Sequence, residues 1–195
     1  MSRDDESGYV DYFKVLELDE TAKPGEIRKS YRTKMKELVS EIAAVEITEE
    51  RRNKFLLEMA TLNAALFLLR ESDLRDAYWN DRKDLIVLEH QWRAAAEAGE
   101  NTNELRKTFD GRVRDFLSRY VEDAMLAGGR DKECVEASHW DAAHERHASG
   151  ILRQCRHEFF QQILERLPYA DVTKPSIDWT ERARFASGVL AEGAV

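Results

Sequence analysis

Two apolar seams joined by a short polar link constrain this chain more than any other feature. Ile27, Tyr31, Met35, Leu38 and Ile42 follow one another at spacings of four, four, three and four. That recurrence lines one face of a helix with about 3.6 residues per turn. Phe55, Met59, Leu62, Leu66 and Leu69 repeat it at four, three, four and three. Pro24 suits the first turn of the first helix, because its missing N–H would be unpaired there anyway, and Thr21 is placed to cap it. Thr48, with Glu49 and Glu50 in the opening turn, starts the second helix. Matched seams with a short link predict an antiparallel helical hairpin in which each stripe buries the other.

The same periodicity runs through the rest of the chain. The cluster from Tyr9 to Leu18 is enough for a short helix, and Ser72 to Asn80 makes another that ends in Tyr78 and Trp79. A helix over Asp84 to Ala98 carries Leu85, Leu88, Trp92 and Ala95 and stops at Gly99. Thr102 restarts a stripe of Leu105, Phe109, Val113, Phe116, Tyr120, Ala124 and Ala127 that ends at Gly128-Gly129. A long helix from Lys132 to Leu167 follows, loosened at Gly150, with Leu152, Cys155, Phe159 and Ile163 on its second half, and Pro168 stops it. After an extended stretch to Pro175, Asp178 and Glu181 form a capping box for a last helix through Phe185, Val189 and Leu190. With only 9 glycines and 3 prolines in 195 residues, an all-α fold without sheet is expected. It divides into a flexible tail over residues 1–10, a hairpin domain over 11–80 and a helical bundle over 81–195. Phe109, Phe116, Trp140, Leu152 and Phe159 are expected in the core, with Cys134 and Cys155 as buried thiols.

Several classes of function find no support in the residues. A net charge of -8 disfavours nonspecific nucleic-acid binding, which needs a basic surface to displace counterions. No apolar run approaches the roughly 18 residues of a membrane helix, and residues 1–8 are too polar for a signal sequence, so a cytoplasmic protein without membrane association is expected. Neither G-x-x-x-x-G-K nor G-x-G-x-x-G occurs, and no Ser or Cys sits in a nucleophile elbow; no enzyme activity and no cofactor are expected. One cluster has ligand chemistry. Glu136-x-x-His139 and His144-x-x-His147 each set two donors on one helical face, which makes a helical metal-binding protein the enzyme-class alternative.

The residues of the first eighty positions resemble a known family. Asp11-Tyr12-Phe13-Lys14-Val15-Leu16 and Glu26-Ile27-Arg28-Lys29-Ser30-Tyr31-Arg32 look like helices one and two of a J domain. Leu62-Asn63-Ala64-Ala65, Leu69 and Leu74-Arg75-Asp76-Ala77-Tyr78 are similar to its third helix and terminal arginine-x-x-tyrosine element. The resemblance implies a J-domain-like hairpin followed by a bundle, and an acidic DnaK-type chaperone, or another J-domain protein, as partner of the basic helix-two face. Arg28, Arg32 and Lys36 stack on that face at four-residue intervals, with Lys29 beside them. The family's His-Pro-Asp tripeptide, which stimulates the chaperone's ATPase, is replaced here by Val39-Ser40-Glu41. Without the proline, and with Ile42 extending the seam, helix two should run on to at least Ile42. The expectation is a non-catalytic co-chaperone-type adaptor that holds a chaperone or client without stimulating ATPase activity. A J-like domain before a helical bundle also resembles the HscB co-chaperones of iron–sulfur assembly, with short echoes in Ala60-Thr61-Leu62-Asn63 and Trp140-Asp141-Ala142-Ala143.

Overall fold

The computed structural model describes residues 9–44 and 48–165, which form helices and turns with no strand among them. The Pro168 stop, the Asp178/Glu181 capping box and the apolar residues Phe185, Val189 and Leu190 lie outside the described residues. Among the described residues, no helix is long and apolar enough to cross a membrane.

A short helix α1, Tyr12–Val15, starts where the Asp11 carboxylate accepts from the Phe13 and Lys14 amides at 3.1 and 3.2 Å. Tyr9, expected within a flexible tail over residues 1–10, belongs to the core instead. Tyr9 is buried, stands edge-on to Phe116, and donates its hydroxyl to Glu89 at 2.5 Å. Helix α2, Pro24–Ala44, runs without a break past Ile42. Its first turn is closed by Glu26, whose carboxylate takes the Lys23 amide at 2.7 Å, while Thr21 sits in the preceding turn. Helix α3, Glu49–Leu69, opens on Thr48 as expected, the threonine oxygen accepting from the Arg51 amide. Seam residues Ile27, Tyr31, Met35 and Leu38 meet Phe55, Met59, Leu62, Leu66 and Leu69 in one core.

That core continues past residue 80. The two helices expected over Ser72–Asn80 and Asp84–Ala98 are one helix, α4, Ser72–Glu97. No glycine or proline interrupts it, and the polar residues between its apolar ends make tertiary contacts instead of a link. Arg82 is buried with its guanidinium 3.4 Å from Asp11, and Asp81 accepts from Arg119 and from the Tyr120 hydroxyl at 2.9 and 2.8 Å. Tyr78 is fully buried, donating to the Val10 carbonyl and accepting from the Tyr12 amide.

Helix α5, Asn103–Leu117, passes through a π-helical segment, Ser118–Asp123, into α6, Ala124–Gly128. Val113, Leu117, Val121 and Met125 are buried at intervals of four, as are Phe116, Tyr120, Ala124 and Gly128. A 3.6-residue helix would rotate such a row off the core by about 40° per step, and the wider π turn keeps it facing inward. Gly128 and Gly129 end α6 as expected, yet they are there for close packing. A Cβ on Gly128 would lie 2.8 Å from the Asn63 carbonyl carbon, and one on Gly129 only 2.6 Å from the Trp140 indole nitrogen.

The long helix expected from Lys132 is two, α7, Lys132–Ser138, and α8, Ala142–Glu165. His139 breaks it in the left-handed conformation, φ 54°, and the turn lets Trp140 pack over Gly129. Asp141 then caps α8 by accepting from the His144 amide at 2.9 Å. Helix α8 passes through Gly150 without a break and buries Leu152, Cys155 and Ile163. Phe159, expected inside, is only partly buried at the core's edge, so its truncation costs less than the roughly 3–5 kcal/mol of a fully buried phenylalanine.

Two glycine substitutions separate close approach from helix propensity. Gly128→Ala forces a methyl group into α3 backbone and should destabilise by about 1–3 kcal/mol in urea denaturation. Gly150→Ala meets open space in mid-helix and should instead stabilise by up to about 1 kcal/mol. A third change tests a strained cap. Glu17 ends α1 at φ 56°, with its amide on the Lys14 carbonyl and the Leu18 amide on that of Phe13, so Glu17→Gly relieves the backbone but gives up an ion pair with Lys34 at 2.7 Å, and should raise stability by less than about 1 kcal/mol in the same assay.

Candidate functional site

The seam that turns one side of α2 into the core leaves Arg28, Lys29, Arg32 and Lys36 on its outer side, and the structure brings α7 against it. Arg28 reaches Glu133 through Nε at 3.3 Å and Arg32 reaches the other oxygen of the same carboxylate at 3.1 Å. Lys29 and Lys36 are exposed. Two of the four residues expected to meet a partner are therefore already engaged by an acidic group of the chain itself.

Helix α7 is held there by polar and apolar anchors together. Asp131 caps it, accepting from the Glu133 and Cys134 amides at 3.1 and 3.2 Å. The same carboxylate receives both terminal nitrogens of Arg70, at the end of α3, at 2.7 and 2.6 Å. Such a bidentate charge-assisted pair is stronger than two neutral hydrogen bonds and fixes orientation as well. The arginine's paired donors hold the Asp131 carboxyl down at about 2, below the ordinary carboxylate range. Further in, the Tyr31 hydroxyl donates to Asn63 at 2.9 Å, the Asn63 amide donates to Ser138 at 3.3 Å, and the Ser138 hydroxyl donates to the Cys134 carbonyl at 2.7 Å. Burial raises the Tyr31 hydroxyl well above its usual range and pushes the Cys134 thiol up to about 12. Cys155, also free and buried, is raised by burial to about 11. Both thiols are protonated near neutrality and poor nucleophiles.

Val39, Ser40 and Glu41, which the J-domain resemblance sets against His-Pro-Asp, lie inside α2. Val39 packs against the core, the Ser40 hydroxyl donates back to the Lys36 carbonyl at 2.8 Å, and Glu41 is exposed. No loop begins at Lys36.

The break between α7 and α8 separates His139 from His144 and His147. His139 is exposed in its left-handed turn, while His144 is spent on the start of α8, stacked on Trp140 at 5.5 Å with its Nδ1 2.8 Å from Asp141. His147 is exposed and shares with His144 a cleft of ≈ 300 Å³ floored by Ile42, Phe55, Leu56 and Met59. No group of three His, Cys, Asp or Glu side chains among the described residues is arranged to hold a metal ion. The shared helical face needed by Glu136 and His139 is lost where the helix ends at Ser138.

Sequence reasoning missed Arg70, Asp131 and Glu133. One signal was available: Asp131 stands just before the helical run from Lys132 and has the chemistry of an N-cap. Nothing local pairs Glu133 with residues a hundred positions earlier. No family model, curated protein or solved structure matches the chain.

Because the Asp131 carboxyl is depressed in the fold, its pair with Arg70 contributes fully above the unfolded value of about 4 and is lost as pH falls through about 2. Asp131→Asn, which keeps a capping side chain, should cost about 2 kcal/mol at neutral pH in urea denaturation. The gap from wild type should close across that acidic window.

Proposed function

We propose that this chain is a non-catalytic, J-like co-chaperone-type adaptor that binds an acidic surface of a partner protein and does not stimulate an ATPase. The observation that carries the reading is the unbroken α2. Val39, Ser40 and Glu41 occupy the tripeptide positions as helical residues, so the reading supplies a basic docking face without the loop that activation in the family requires. Arg28, Lys29, Arg32 and Lys36 give that face its charge, and the matching partner is a DnaK-type chaperone or another J-domain protein, with a client held elsewhere on the chain. Restoring His-Pro-Asp would not create an activator. Proline at position 40 would remove a backbone donor inside α2 and clash with the preceding turn, costing about 3 kcal/mol.

Steady-state ATPase turnover of a DnaK-type chaperone should be unchanged as wild-type protein is added, and stimulation would overturn the reading. In the same assay the chain should compete with an active J domain, weakly and less so as salt rises, because exposed charges are screened beyond about 8–10 Å at physiological ionic strength. Changing Arg28, Arg32 and Lys36 to Glu should abolish the competition.

A further inference from the structure

Three guanidinium groups from two helices converge on one carboxylate. Arg28 and Arg32 of α2 lie 3.3 and 3.1 Å from Glu133, and Arg70, at the end of α3, lies 3.7 Å from it. Asp131 is fully occupied by the bidentate Arg70 pair and two α7 amides, so among the described residues Glu133 is the carboxylate that answers the charge of Arg28 and Arg32. The two acids are held differently. The Asp131 side chain is 14% exposed, whereas Glu133 is 27% exposed and its partner Arg32 is 66% exposed. Ion pairs that open to water contribute about 1 kcal/mol or less and exchange readily. Helix α7 does not depend on the Glu133 contact, since Asp131, Cys134 and Ser138 anchor it independently.

We propose that Glu133 is an internal competitor that masks the basic face of α2, standing where a carboxylate of an acidic partner segment binds. This rests on the adaptor reading above and adds a regulation to it. The occupant is an acidic stretch of a partner protein. Arginine forks pair with carboxylates in two-pronged geometry, and Arg28, Arg32 and Lys36 repeat once per helical turn, so carboxylates at the same interval along a partner helix meet them in register. The partner's first carboxylate displaces Glu133, which swings into solvent while α7 stays in place. Docking is thereby weakened by the energy of a contact the chain already makes, and an isolated acidic group gains little from this face while a row of them gains from each arginine or lysine in turn.

The test is a fluorescence anisotropy titration with a labelled octaglutamate peptide on the full chain. Glu133→Gln preserves size and should bind about three- to fivefold more tightly than wild type, the change expected when the water-facing contacts of Glu133 with Arg28 and Arg32 together hold it by about 1 kcal/mol. Glu136→Gln removes the same charge from an exposed position on the same helix and should leave binding unchanged. Adding Arg28→Glu and Arg32→Glu to Glu133→Gln should abolish the gain. Equal binding by wild type and Glu133→Gln overturns the masking, as does equal tightening in Glu136→Gln or a gain that survives the arginine reversals. None of these results touches the competition with an active J domain, so failure of the mask and failure of the adaptor reading are separable. Melting temperatures of all variants, with helicity by circular dichroism, check that each is folded.

Discussion

Asn63 has no solvent exposure, and the rest of the fold is arranged about the point where it sits on α3. Its backbone is crossed by Gly128 at a separation no Cβ could occupy, its side chain accepts from Tyr31 of α2 and donates to Ser138 of α7, and its carbonyl lies 3.5 Å from the Cys134 thiol. A buried amide left unpaired would be destabilising by a few kcal/mol, so each of these partners has to be in place together. The consequence is a fixed position for α7, and with it for Asp131 and Glu133.

Burial of more than one face of α3 from Phe55 onward follows from the same arrangement. The spacing of Phe55, Met59, Leu62, Leu66 and Leu69 describes one stripe, but Leu56, Ala60, Ala64, Ala65 and Leu68 are buried too. A helix segment with more than one apolar face belongs inside a larger core, with neighbours on each of those faces. Its alanines allow close approach where its leucines fill space. The hairpin of α2 and α3 is thus completed by segments from the second half of the chain, and the helix α4 that crosses residue 80 carries Tyr78, Arg82, Leu85 and Trp92 into one continuous interior.

That completion also determines the electrostatics of α2. A basic helical face read in isolation is fully available to a partner. Once α7 lies beside it, part of its charge is answered from within, by a carboxylate more than a hundred residues away along the chain. The proposed adaptor role and its proposed mask therefore share one physical origin: the basic face of α2 and Glu133 are held together by the contacts that bury α7.

Local interactions made much of this molecule legible from its residues. The seam through Ile42 and the missing proline dictated an unbroken α2, and Thr48 marked the start of α3, because helix periodicity and capping operate within about four residues. The stripe through Phe109, Val113, Phe116 and Tyr120 was visible for the same reason. The continuity of α4 was not, since the polar run around Asp81 and Arg82 resembles a link until Arg119 and Asp11 are seen beside it. Nor was the break at His139, which depends on room for Trp140 above Gly129. Arg28 and Arg32 were identified as a charged surface, yet their engagement by Glu133 required the fold, because residues so distant in sequence meet only after the helices between them have packed.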